Sequence, residues 1–82
     1  MNEKYCVSYK YKNGFITIVI NSNVELIDDT LLGTIPNQYC PSEDFYSSNY
    51  TNNNAALYIR TNGEVRWNKT SYYNHCSITY PV

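Results

Sequence analysis

Asparagine followed by glycine occurs twice in this chain, in YKNGF and in RTNGE, each time between stretches that alternate apolar with polar residues. Both residue types accept the positive φ that a tight hairpin corner needs, which makes this dipeptide the strongest short-range hairpin signal a sequence carries. Two β-hairpins are therefore expected, and each corner implies a register. If Asn13 and Gly14 form a two-residue type I′ turn, Lys12 faces Phe15, and the pairs Tyr11 with Ile16, Tyr9 with Ile18 and Val7 with Ile20 follow. Every member of those last three pairs is apolar or aromatic. The opposite face then holds Lys10 with Thr17, Ser8 with Val19 and Cys6 with Asn21, so one side of the ribbon is expected to face a core.

The same rule fails at the second corner, where it would set Ile59 against Arg66 and Leu57 against Asn68. A three-residue loop, Thr61-Asn62-Gly63, with Gly63 left-handed in a bulge, instead pairs Ile59 with Val65 and Leu57 with Trp67. It also pairs Tyr58 with Arg66 and Arg60 with Glu64 on the other face. The bulged turn is the one that separates core from surface, and it predicts Trp67 in the core beside Leu57.

Other segments fit the same plan. TLLGTI (30–35) reads as a strand whose internal Gly33 marks a bulge or a close backbone approach. DFYSSNY (44–50) reads as a further strand closed by the turn-forming run TNNN (51–54), and SITYP (77–81) as a last strand with Ile78 and Tyr80 inward. SNVELIDD (22–29) reads as loop, since no segment has helical periodicity of useful length. The expected fold is all-β: an antiparallel sandwich or flattened barrel of about six or seven strands in one domain, residues 1–82.

Composition narrows the function. With 16% aromatic residues, ten of them Tyr, the chain is too rich in rings for a disordered segment. Its formal charge is −1 and its six Lys and Arg are scattered, which leaves no basic stripe for phosphates, so nucleic acid is not an expected partner. FITIVI is far shorter than the roughly 20 apolar residues of a membrane helix, and MNEKYCVSYK has no signal-type apolar region, so membrane insertion is not expected either. The three cysteines, Cys6, Cys40 and Cys76, form no C-x-x-C pair, and the single histidine, His75, adjoins Cys76. Such spacing suits neither a metal site nor a complete disulfide framework, and neighbours along a strand point to opposite faces, so a Cys-His nucleophile is not expected. Free thiols in a reducing compartment, with no metal and no cofactor, are the expectation. The carboxylate pairs Asp28-Asp29 and Glu43-Asp44 are adjacent rather than about 5 to 9 Å apart across a cleft, so no glycosidase, and no enzyme, is expected.

Residues 31–46, LLGTIPNQYCPSEDFY, carry a more specific signal. Pro36 fixes φ where a strand ends and Pro41 holds Cys40 extended, which makes a stiff corner. Taken in order, Gly33-Thr34-Ile35-Pro36, Tyr39 with Pro41, Ala56-Leu57-Tyr58-Ile59, Thr61-Asn62-Gly63-Glu64-Val65 and Ile78-Thr79-Tyr80 span nearly the whole chain. This series resembles the small C-terminal β domain of tail-fibre, baseplate and minor structural proteins of bacteriophages that infect Gram-positive and gut bacteria. That family often has glycine before the loop aromatic and arginine or lysine after it, where this chain has Gln38 and Cys40, so the loop is expected to take its own shape. The resemblance implies a virion protein made in the host cytoplasm, commonly a homotrimer, that binds host-cell surface saccharide or only trimerises or caps a fibre. A bacterial lectin-like module is the alternative expectation.

Sugar recognition stacks aromatic rings on pyranose C–H faces and uses amides or carboxylates for the hydroxyls. The residues of these types in candidate loops are Tyr46, Tyr50, Asn52 and Asn53, then Trp67, Tyr72, Tyr73 and Asn74. For a trimer, Phe15 and Val19, on the face opposite the core, are the residues expected between protomers.

Overall fold

A computed structural model describes residues 1–47, 56–72 and 74–82. Seven strands are present among them: β1 (Val7–Lys12), β2 (Phe15–Ser22), β3 (Thr30–Thr34), β4 (Phe45–Tyr46), β5 (Ala56–Ile59), β6 (Glu64–Asn68) and β7 (Asn74–Pro81). They form two antiparallel sheets, one of order β1-β2-β7 and one of order β3-β6-β5-β4, packed as a sandwich-like pair. The sole helical feature described is a 3₁₀ turn at Asn37–Tyr39.

Both hairpins take the registers their corners imply. In the first, Lys12 faces Phe15, Tyr11 faces Ile16, Tyr9 faces Ile18 and Val7 faces Ile20. In the second, Ile59 faces Val65, Tyr58 faces Arg66 and Leu57 faces Trp67, while Gly63 has φ +89° as the bulged corner needs. The strand around Gly33 carries a register shift between Leu31 and Gly33, and a side chain at Gly33 would run into Met1. The 22–29 stretch contains no helix and is tied to the body by a bridge between Leu26 and Ser71.

Alternation along the strands builds the core. Ile16, Ile18 and Ile20 from β2, with Cys76, Ile78 and Tyr80 from β7, meet Leu32, Leu57, Ile59, Val65 and Trp67 from the other sheet. Trp67 has no solvent exposure, and Phe45 stacks on Tyr80 with ring centroids 5.7 Å apart. Cys76 is buried while neighbouring His75 is not, as period-two geometry requires. All three thiols are free; Cys6 is exposed and Cys40 partly so.

One expectation is corrected. Tyr9 and Tyr11 share a face with Val7 and the β2 isoleucines, yet they are 38% and 48% exposed. The other sheet lies over β7, through β4 and β5, and β1 overhangs it at the far edge. Tyr11 is covered in part by Tyr39, whose ring stacks on it at 5.0 Å. Of the strand expected at 44–50, Phe45 and Tyr46 pair with β5 and Ser47 N–H donates to Leu57 carbonyl at 2.8 Å, while residues 48–50, with the turn expected at 51–54, lie outside the described residues.

The stiff corner and the second hairpin meet at one end of the sandwich. Ile35 N–H donates to Gly63 carbonyl at 2.9 Å, and Tyr80 hydroxyl donates to Tyr39 carbonyl at 2.8 Å. A Cβ on Gly63 would stand 2.8 Å from both Ile35 carbonyl and Cys40 Sγ. Cys40 is extended, at φ −70° and ψ 142°, as the following proline dictates. Ile35, Tyr39, Cys40, Gly63 and Tyr80, from separate parts of the sequence, thus build this single corner.

Candidate functional site

The outer face of the four-stranded sheet is crossed by one row of side chains. Tyr46 on β4 pairs with Tyr58 on β5, Tyr58 with Arg66 on β6, and Arg66 with Leu31 on β3. Strand alternation places all four opposite the core residues Ile59, Val65 and Trp67. Cross-strand neighbours on one face interact directly, and here the interaction is aromatic: the Tyr46 and Tyr58 rings stack at 5.0 Å with their planes 16° apart.

Around this pair lies a charged frame. Asp29 sits just before β3 with φ +65°, a left-handed conformation that Asp tolerates better than most residues. Its carboxylate accepts from the Tyr58 hydroxyl at 2.9 Å and lies 3.5 Å from Arg66 Nη1, which also donates to the Asp29 backbone carbonyl at 2.9 Å. Arg66 Nε donates to Glu64 Oε1 at 3.2 Å. The Arg60 guanidinium stands over the Tyr58 ring, 5.7 Å from its centroid. Tyr58 is therefore only 5% exposed although it lies on the outer face, whereas Tyr46 remains 62% exposed.

The titrations follow from these contacts. Burial, and then the hydrogen bond to Asp29, push the Tyr58 phenol above the ordinary tyrosine range, so it stays a donor. The Arg66 hydrogen bond holds the Glu64 carboxyl below its usual value and raises Arg66 in return. These ion pairs are solvent-facing and screened, so they orient groups more than they stabilise the fold. The result is an exposed ring, Tyr46, stacked on a second ring, Tyr58, which is bordered by the exposed carboxylate of Asp29 and by two guanidinium groups. Such a surface can stack on an apolar C–H face, where the negative ring face meets weakly positive hydrogens, and can bond hydroxyls at its rim.

The expected site residues are distributed unevenly. Tyr46 stands at the edge-strand end of this row, on β4, stacked on Tyr58. Tyr72 is 67% exposed but sits beside the Leu26–Ser71 bridge, and no described contact joins it to Tyr46. Trp67 is wholly buried beside Leu57. Asn74 is buried too, its Nδ2 donating to Val24 carbonyl at 2.8 Å and to Ser71 carbonyl at 3.4 Å, so it fastens the 22–29 loop. Neither Trp67 nor Asn74 presents a surface to an outside ligand, which corrects their place among the candidates. Tyr50, Asn52, Asn53 and Tyr73 lie outside the described residues.

Asp29, Tyr58, Arg60, Glu64 and Arg66 are the members that sequence reasoning missed. The signal was present in part, because the bulged register already sets Tyr58 across from Arg66 on the polar face. The left-handed turn that brings Asp29 to them has no comparable signature. No protein-family model matches the chain, and no curated protein matches it.

Proposed function

We propose that this chain is a non-enzymatic adhesion domain of a bacteriophage tail fibre or baseplate, which binds host-cell surface saccharide through the outer face of its four-stranded sheet. One observation carries the reading: Tyr46, largely open to solvent, is stacked on Tyr58, which is itself held by Asp29 and covered by Arg60, with Arg66 paired across from it. A ring fixed by a second ring loses little freedom on stacking against a sugar, and the surrounding carboxylate and guanidinium groups suit hydroxyls. The resemblance of its motif order to that of the phage domains supports the setting, a virion appendage assembled in the host cytoplasm.

A second reading, a domain that trimerises or caps the fibre, is favoured by the other sheet. Phe15 and Val19 on its outer face are 50% and 39% exposed, a surface suited to burial between protomers. A bacterial lectin-like module would use the same Tyr46 surface without the virion.

The experiment is a bacterial glycan array probed with the chain and with Tyr46→Ala. Saccharide binding that falls about tenfold or more in the variant supports the adhesion reading. Binding that survives the change intact, or none at millimolar saccharide, defeats it. The mass in solution tests the trimer: a species near three times 9.6 kDa supports it and a monomer removes it.

A further inference from the structure

We propose that the free edge of β1 is a strand-addition site for an extended, acidic segment of another protein. The inference concerns a surface other than the Tyr46 face and stands apart from the saccharide reading.

Backbone geometry defines the site. In a two-residue hairpin Lys12 and Phe15 exchange hydrogen bonds, so Lys12, Lys10 and Ser8 turn their backbone groups toward β2, while Tyr11, Tyr9 and Val7 turn theirs away. Val7 proves the direction, since its N–H donates to Asn2 carbonyl at 2.9 Å and its carbonyl accepts from Asn2 N–H at 3.0 Å. Asn2 is thus a one-residue antiparallel addition to this edge, anchored by its own Nδ2 donating to Leu32 carbonyl at 3.1 Å. Beyond it the outward N–H and C=O groups of Tyr9 and Tyr11 have no hydrogen-bonding partner among the described residues. The edge is built to take an antiparallel strand and is filled at one end only.

Side chains say what strand it takes. One face of β1 shows Lys10 and Lys12, both exposed, and β1, β2 and β7 contain no Asp or Glu at all. The other face shows the half-open rings of Tyr9 and Tyr11, with Tyr39 stacked on the latter. An entering strand is matched when carboxylates line one of its faces and apolar side chains the other. A second copy of β1 is not matched, because antiparallel pairing would set lysines against lysines.

The probe is a blocked, fluorescein-labelled peptide of about seven residues alternating glutamate and valine, long enough to cover Tyr9 and Tyr11 at about 3.4 Å per residue. Fluorescence anisotropy should show saturable binding that weakens with salt, with the amides of Tyr9 and Tyr11 gaining protection from hydrogen exchange. Tyr9→Pro removes an outward N–H and no bond to β2, and the pair Lys10→Glu with Lys12→Glu reverses the charge; each should lower affinity about tenfold or more. Circular dichroism and an unchanged unfolding midpoint for the lysine pair establish that its fold is intact. Absence of binding at millimolar peptide, equal binding of a lysine-valine peptide, or protection of amides elsewhere would overturn the proposal. So would self-association of the wild-type chain that Tyr9→Pro abolishes, since it would assign the edge to a second copy.

Discussion

The two hairpins begin from the same Asn-Gly dipeptide and end in opposite circumstances. Gly14 turns at φ +82° in open space, with nothing within 4 Å of where a Cβ would stand, and one of its strands is the overhanging edge β1. Gly63 turns at φ +89° against Ile35 and Cys40, and its strands β5 and β6 are the two inner strands of the four-stranded sheet. A turn signal fixes local geometry in both places, but the first corner meets only the last residue, whose N–H donates to Gly14 carbonyl at 2.9 Å, whereas the second is packed against the turn at 35–40. What each hairpin can offer differs accordingly: a free edge from the first, and a rigid, two-faced platform for Tyr58 and Arg66 from the second.

The largest effect expected from this contrast is at the buried corner. Gly63→Ala adds left-handed strain to a steric conflict with the Ile35 carbonyl, and should lower stability by about 2 to 4 kcal/mol in urea unfolding. A loss comparable to that of a change at Gly14 would mean that the corner is not packed as described.

The next test uses pH at the same corner. Burial first, and then the nearby Cys40, push the Tyr80 phenol up to about 12, against about 10 for an unfolded tyrosine. Below pH 10 folded and unfolded chains both keep the proton, and the stabilising contribution is complete. As pH rises from about 10 to about 12 the unfolded chain ionises first, so stability should fall by on the order of 2 kcal/mol, with tyrosinate absorbance of the folded chain lagging behind unfolding. A stability flat across that window would break the assignment of Tyr80 to the buried end.

A smaller effect is expected at the open corner. Gly14→Ala meets backbone strain alone and should cost about 1 kcal/mol. The smallest is at the surface: Tyr46→Ala removes a mostly exposed ring and should change stability by about 0.5 kcal/mol or so, since a stacked surface pair contributes little more. A large loss there would mean that Tyr46 serves the fold rather than recognition.

Much of the fold was legible because turn chemistry and period-two alternation act locally. Asn13-Gly14 set one register, and the poor burial of Ile59 opposite Arg66 selected the bulge at Gly63 for the other. The same logic placed Trp67 inside and set His75 and Cys76 on opposite faces of β7. Tyr9 and Tyr11 were misplaced because their exposure depends on how far one sheet overlaps the other, a property of no single strand. The proposed recognition surface was legible at Tyr46 but not at Asp29, whose placement depends on a left-handed turn, and Asn74 was misread because its amide is spent on the 22–29 loop. Aromatic and amide residues in loops identify candidates by type, and only the packing shows which of them face outward.

The most direct test is nuclear magnetic resonance, following backbone and side-chain shifts while bacterial cell-wall polysaccharide is added. The account predicts saturable shifts centred on Tyr46, Tyr58, Asp29 and Arg66, with β1, β2 and β7 unmoved. Shifts confined to the three-stranded sheet, or none at millimolar saccharide, would contradict it.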